Sequence, residues 1–129
     1  MLSRRFALVA LATLASPAIA RAATTATFDQ AAFAAARKDG KPILVHIWAS
    51  WCPTCAQQKP ILDKLSADPD FKDLIIMKVD FDSQKDIVRT FNAQSQSTLI
   101  VFHGEREQGR SVGDTNADSI RALLARAMA

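Results

Sequence analysis

Two segments of different periodicity meet at Trp48-Ala49-Ser50-Trp51-Cys52-Pro53-Thr54-Cys55. Residues 43–48 are almost continuously apolar, which is typical of a strand buried on both faces. After the cysteines, apolar side chains recur at helical spacing and predict a helix over residues 52–66. Cys52 is therefore expected where a buried strand ends and a helix begins.

The rest of the chain alternates helical and strand patterns. Helices are predicted over residues 28–38, 84–91 and 116–128, and strands over residues 74–79, 98–102 and 108–112, with Gly104 in the turn of the final hairpin. No internal repeat or linker divides the chain. This order predicts one domain, an α/β sandwich with a mixed central β-sheet flanked by helices.

The excess of basic residues lies at the start of the chain. The sequence has 129 residues, with 16 Lys and Arg against 13 Asp and Glu, and a formal charge of +3. Arg4, Arg5 and Arg21 fall within the first 22 residues, which contain no acidic residue, so the charges of the remaining residues balance. A nucleic-acid partner calls for a basic patch, and this distribution argues against such a partner.

The first 22 residues have the order of a secretory signal peptide, with a basic start, an apolar run and small residues before cleavage after Ala20 or Ala22. The apolar run is shorter than the roughly 20 residues of a spanning helix. A membrane anchor is the alternative. Ser3-Arg4-Arg5 partly matches a twin-arginine signal, which is the alternative to ordinary secretion of an unfolded chain.

We expect residues 1–22 to be a cleaved signal peptide and residues 23–129 to form the mature domain. Such a product is exported to the bacterial periplasm or, as the second choice, secreted. Disulfides can persist in both places.

The chain contains two cysteines, Cys52 and Cys55. A disulfide across so short a loop restricts the unfolded chain little, so a structural staple is a poor explanation. A zinc site lacks its second pair of ligands, and a c-type haem site needs His where Ala56 stands. A helix N-terminus, in contrast, stabilises a thiolate, and Pro53 suits the first helical turn. The spacing predicts a redox pair with Cys52 as the exposed nucleophile and Cys55 as the buried resolving thiol.

Four further motifs accompany the cysteines. They are Pro60-Ile61-Leu62-Asp63 in the helix, Lys78-Val79-Asp80 in a strand, Thr98-Leu99-Ile100-Val101-Phe102 with Gly104 in the hairpin, and Gly113 before the last helix. Together with the tryptophan-flanked cysteine motif, they make the chain resemble the thioredoxin family from about Phe28 to Ala129. The resemblance implies a thioredoxin-like three-layer sandwich and thiol–disulfide exchange as the activity. It also implies substrate contacts at Trp51, Pro53, Thr54, Gln96 and Ser97.

Ser97 departs from the family pattern, in which a cis-proline precedes the strand that faces the cysteines. A cis peptide before a non-proline residue costs roughly 3–4 kcal/mol, so we expect a trans bond between Gln96 and Ser97. In the family this loop provides backbone hydrogen bonds to the substrate chain. The geometry of the Ser97 loop therefore bears on substrate choice.

His46 is the second departure, because thioredoxins carry there a buried aspartate that is thought to move the proton of the resolving cysteine. With an ordinary pKa near 6.5, a histidine can do the same work. We therefore expect His46 to be catalytic together with Cys52 and Cys55. The alternative is a neutral core histidine.

Three functions are compatible with these residues. The preferred one is an exported thiol–disulfide oxidoreductase that reduces protein disulfides, with a disulfide donor or isomerase as the opposite direction. A second is a soft-metal protein in which Cys52 and Cys55, with His46 nearby, hold copper(I) or zinc. A third is a redox-inert interaction module. For the preferred function we expect no cofactor, no bound metal, a membrane electron donor, no membrane insertion after signal cleavage, and a monomer.

Overall fold

The computed structural model describes Ala12 and residues 22–129. The expected signal peptide therefore lies almost entirely outside the described residues. The strands are β1 (Thr24–Thr27), β2 (Pro42–Trp48), β3 (Ile75–Asp80), β4 (Thr98–His103) and β5 (Arg106–Val112). The helices are α1 (Gln30–Lys38), α2 (Pro53–Ser66), α3 (Lys85–Thr90) and α4 (Ala117–Ala127). Within this described part of the chain, no helix is both long and apolar enough to cross a membrane.

The five strands form one mixed sheet in the order β1-β3-β2-β4-β5. Strand β3 runs parallel to β1 and to β2, whereas β4 is antiparallel to both β2 and β5. The central strand β2 is buried from Ile43 to Ile47. This double-sided burial agrees with its continuous apolar sequence.

Each face of the sheet has its own apolar core. On one face, α1 and α3 cover a cluster of phenylalanine rings, with centroids 5.3–6.1 Å apart, formed by Phe28, Phe33, Phe91 and Phe102. On the other face, α2 and α4 pack on Leu44, Leu99 and Val101. Because successive strand residues point to opposite faces, His46 lies on the same side as Leu44, under α2. The expected three-layer α/β sandwich is confirmed.

The sheet order brings two distant segments together at one edge. Strand β2 ends at Trp48, and the chain turns directly into α2. Strand β4 begins at Thr98, which pairs with Ile47 near the end of β2. The residue before β4, Ser97, is therefore placed beside the turn that carries the cysteines.

Strand β1 was not expected from the sequence. Its four residues are all exposed, so the segment has no apolar alternation that predicts a strand. It is a strand because its backbone pairs with β3, in a register that places Thr24 opposite Ile75.

Gly104 permits the close contact between the β4–β5 turn and the end of α1. Its φ is +58°, and a Cβ there would lie 3.0 Å from Gly40 Cα and 3.3 Å from the Arg37 carbonyl oxygen. We expect Gly104→Ala to lower the free energy of unfolding by about 2–3 kcal/mol, because backbone strain and a clash add. Urea denaturation measures this loss.

Gly113→Ala is the matched control. Gly113 has a similar φ of +72°, but a Cβ there would meet no atom within 4 Å among the described residues. This variant should lose about 1 kcal/mol from backbone strain alone. Equal losses in the two variants would contradict the role of the close contact.

Candidate functional site

Both cysteines lie at the start of α2, as the sequence predicted. Cys52 is the N-terminal capping residue of this helix, and its Sγ accepts a hydrogen bond from the backbone N–H of Cys55 at 3.1 Å. Pro53 occupies the first helical turn, where a backbone N–H has no partner to lose. The two sulfurs are not bonded to each other. The capping geometry directs the N–H groups and the positive end of the helix dipole at Cys52 Sγ.

The exposure expected for Cys52 is wrong. Cys52 is 3% exposed and Cys55 is 6% exposed, so both residues are buried. The reason is tertiary, because the residue before β4, Ser97, covers the sulfurs from across the sheet edge. Ser97 is itself buried.

Ser97 contacts both reacting sulfurs. Its Oγ lies 3.1 Å from Cys52 Sγ and 3.1 Å from Cys55 Sγ. Each distance is short enough for a hydrogen bond in which either atom can be the donor. The site is therefore a buried triangle of two thiol groups and one hydroxyl group.

The backbone at Ser97 is trans, as expected, because no cis peptide occurs among the described residues. Its φ is +64°, in the left-handed region that a serine adopts only at a cost. The Ser97 carbonyl accepts hydrogen bonds from the Gly113 N–H at 3.0 Å and from the Gln58 side chain at 3.3 Å. These two bonds hold the unusual backbone in place.

Gln58 is a site residue that the sequence reasoning missed. It is fully buried in α2, and its Nε2 donates to the carbonyl oxygens of Ser97 and of Asp114, the latter at 2.9 Å. Gln58 thereby ties α2 to the loop before β4 and to the loop after β5. A signal was present, since Gln58 is a polar residue at helical spacing from buried Cys55 and Leu62.

The two thiols differ in acidity. Burial raises the pKa of Cys52, but the neighbouring Cys55 thiol group and the hydrogen bonds from the Ser97 hydroxyl and the Cys55 and Thr54 backbone outweigh it, so this pKa lies below its ordinary value. Burial and the neighbouring Cys52 sulfur raise the pKa of Cys55. Such an asymmetry favours a Cys52 thiolate beside a Cys55 thiol.

His46 lies behind the cysteines in the sheet. Burial, followed by the positive charge of Lys78, lowers the pKa of His46 from 6.5 to about 4, so the imidazole is neutral at pH 7. Its Nε2 is buried without a hydrogen-bond partner among the described residues. His46, Cys52, Cys55 and Lys78 line one cavity of about 230 Å³. His46 is thus a neutral buried imidazole next to the redox pair.

Two tryptophans flank the site in different environments. Trp51 is 57% exposed, and its Nε1 donates to Asp82 Oδ2 at 2.7 Å. The Lys78 ammonium lies 4.2 Å from the ring centroid of Trp48, a cation–π distance. Trp51 therefore presents an anchored aromatic surface to solvent beside Cys52.

The remaining residues expected to contact substrate surround the sulfurs. Pro53 is exposed, whereas Thr54 and Gln96 are half-buried. In the described part of the chain, the backbone of Gln96 makes no hydrogen bond within the protein. Also within that part, no three His, Cys, Asp or Glu side chains form a group that could hold a metal ion.

Comparisons with known proteins agree with this geometry. Residues 22–126 match the family profile described as Thioredoxin. A thioredoxin of Alicyclobacillus acidocaldarius is 31% identical over 101 residues, which cover 78% of this chain and 95% of that protein. A bifunctional thioredoxin reductase/thioredoxin of Mycobacterium leprae is 33% identical over 85 residues, which cover 66% of this chain and 18% of that longer protein.

The solved structure of Trxlp from Edwardsiella tarda EIB202 has a TM-score of 0.76 and 38% identity, and the match covers 78% of this chain and 98% of that one. The profile match spans the sheet, the four helices except for the last residue of α4, and the cysteine pair. With the redox pair capping α2 inside this fold, the chain belongs to the thioredoxin family of thiol–disulfide oxidoreductases.

Proposed function

We propose that this protein is an exported reductant of protein disulfides, with Cys52 as the nucleophile and Cys55 as the resolving thiol. The observation that carries the assignment of the two roles is the helix cap: Cys52 Sγ accepts the Cys55 N–H at 3.1 Å at the start of α2, and the pKa of Cys52 is lowered whereas that of Cys55 is raised. The thiolate is the reactive form of cysteine, so Cys52 attacks first.

The exchange takes two steps. The Cys52 thiolate attacks one sulfur of a substrate disulfide, forms a mixed disulfide, and expels the other substrate sulfur as a thiolate that takes up a proton. Cys55 then loses its proton and attacks Cys52 Sγ, which forms the Cys52–Cys55 disulfide and expels the second substrate sulfur. The substrate gains two electrons and two protons; the protein supplies the two electrons and the Cys55 proton, and the solvent supplies the second proton.

The unpaired Gln96 backbone supports a binding mode for the substrate chain. The carbonyl of Ser97 already accepts two hydrogen bonds, and that of Ser95 accepts one from Thr98 Oγ1 at 2.7 Å. Gln96 is left to pair with an extended peptide, as in strand addition to a sheet edge. Trp51, Pro53 and Thr54 would line the other side of that peptide.

The reducing direction is supported by the thioredoxins that this chain resembles. It is also supported by the short connection between β3 and β4, which contains the six-residue helix α3 and no inserted helical domain. Equilibration with glutathione buffers measures the reduction potential of the cysteine pair. A value near the −270 mV typical of thioredoxin supports a reductant, and a value near −120 mV identifies a disulfide donor.

We further propose that the chain is exported to the periplasm, where a membrane electron donor re-reduces the monomeric protein. Mass spectrometry of protein from periplasmic extracts tests export. A mature chain that begins at Arg21 or Ala23 supports it, and a full-length chain in the cytoplasm contradicts it.

His46 is proposed as a transient proton relay for Cys55. A neutral imidazole with a pKa of about 4 accepts a proton only briefly, but it lies on the cavity that Cys55 also lines. His46→Ala should slow the attack of Cys55 on the mixed disulfide about a hundredfold or more, the scale of general base catalysis. Rapid quenching in a single turnover measures this step.

His46→Gln separates proton transfer from packing, because it retains a polar side chain that does not titrate. The relay requires that His46→Gln is slowed as much as His46→Ala. Restoration of the rate by glutamine, or an unchanged rate and pH profile in both variants, would refute the relay.

A further inference from the structure

We propose that the Ser97 hydroxyl is a catalytic group that donates a hydrogen bond to the Cys52 thiolate and accepts one from the Cys55 thiol. A single side chain would then hold both sulfurs in the protonation states that exchange requires. The inference rests on the proposed nucleophilic role of Cys52, and it applies to either direction of exchange.

The count of protons fixes the direction of each hydrogen bond. A hydroxyl has one proton to donate, and Ser97 Oγ lies 3.1 Å from each sulfur. If Cys52 is the thiolate, it can only accept, and the hydroxyl proton belongs to it. The Cys55 thiol then donates its own proton to the free lone pair of Ser97 Oγ. All three polar groups are satisfied in this arrangement.

The surroundings make these hydrogen bonds strong. Ser97 and both cysteines are at most 6% exposed, so water competes weakly for the thiolate. Hydrogen bonds to a charged acceptor are roughly twice as strong as those between neutral groups, and more so away from water. The hydroxyl therefore adds to the Cys55 N–H bond that already reaches Cys52 Sγ at 3.1 Å.

The backbone aims the hydroxyl at the sulfurs. Ser97 has a φ of +64°, and its carbonyl is held by the Gly113 N–H and by the buried Gln58 amide. With the carbonyl held by these two bonds, the side-chain Oγ lies 3.1 Å from each sulfur. The proline that the family usually carries at this position has no hydroxyl, so this donor is a property of the present chain.

The test is a pair of variants that remove the hydroxyl, Ser97→Ala and Ser97→Gly. Glycine tolerates the positive φ without strain, whereas alanine retains the strain that serine has. A loss of the hydroxyl should therefore affect both variants alike, and a backbone effect should separate them. The absorbance of the thiolate near 240 nm, followed against pH, gives the pKa of Cys52 in the reduced protein.

We expect the pKa of Cys52 to rise by about one unit in both variants, because a hydrogen bond to a charged group is worth about that much. Below its pKa the thiolate fraction falls about tenfold per unit, but a more basic thiolate is a better nucleophile. Alkylation by iodoacetamide at a pH below the titration midpoints of both proteins should therefore slow about three- to fourfold. Ser95→Ala, in the same loop but without a sulfur contact, should leave the Cys52 pKa and the alkylation rate unchanged.

The outcomes separate this inference from the proposed function. Peptide mapping of the alkylated wild-type protein identifies the sulfur that reacts first. Primary labelling of Cys55 would overturn the nucleophile assignment and the inference together. Primary labelling of Cys52 with an unchanged pKa in both Ser97 variants would overturn the inference alone, and so would a shift confined to one of them.

Discussion

Cys52→Ser is expected to abolish disulfide reduction. The thiolate supplies the attacking electron pair, and a serine hydroxyl at this place is not ionised near neutral pH. Precipitation of the freed insulin chain measures the rate of insulin reduction. We expect this rate to fall by at least about a thousandfold, which is the scale of the effect when an enzyme loses its nucleophile. Both residues are similar in size, so the fold is expected to survive.

Cys55→Ser should have a different result. Without the resolving thiol, the mixed disulfide between Cys52 and the substrate persists, because no internal sulfur attacks it. Non-reducing electrophoresis should show a stoichiometric covalent complex with Cys55→Ser and none with Cys52→Ser. A complex trapped by Cys52→Ser instead would reverse the two roles.

The stability of the protein is expected to fall steeply as the pH drops below 6.5. His46 has an ordinary pKa of 6.5 when the chain is unfolded, but burial and Lys78 lower its pKa to about 4 in the folded state. Between these values the unfolded chain binds a proton that the folded chain does not, so acid favours unfolding. The shift corresponds to about 3 kcal/mol, which is present above pH 6.5 and lost by about pH 4.

His46→Leu isolates this contribution, because leucine cannot bind a proton. Urea denaturation of both proteins at pH 7 and pH 4 gives the free energies of unfolding. The carboxylates titrate in both proteins and largely cancel. The difference between wild type and variant should change by about 3 kcal/mol between the two pH values. Parallel pH profiles would mean that His46 binds its proton as readily in the folded protein as in the unfolded chain.

Elements that bury apolar residues could be predicted from the sequence, whereas an element that depends on long-range pairing could not. The sequence predicted β2, β3, β4 and α4 within one or two residues, since each buries a whole face or an apolar stripe. Strand β1 was missed because its residues are exposed and its only strand signal is its pairing with β3. Apolar alternation in a sequence marks strands that bury one face, and the residues of β1 are all exposed.

The candidate site also has features that the sequence predicted and features that it did not. The spacing of Cys52 and Cys55 predicted a redox pair at a helix start, and that placement is confirmed. The exposure of Cys52 was wrong because Ser97, far away in sequence, covers the sulfurs. Gln58 was missed because its partners, the carbonyls of Ser97 and Asp114, belong to two remote loops.

The sequence by itself therefore determined the helix-capping cysteine pair, because a strand, a turn and a helix that follow one another in the chain suffice to build it. Only the tertiary structure decided what surrounds the pair. The pairing of β2 with β4 brings Ser97 to the sulfurs, and its left-handed backbone directs the hydroxyl between them. The acidity of a buried thiol depends on the donors within a few ångströms of it, and these are set by long-range packing rather than by neighbours in the chain.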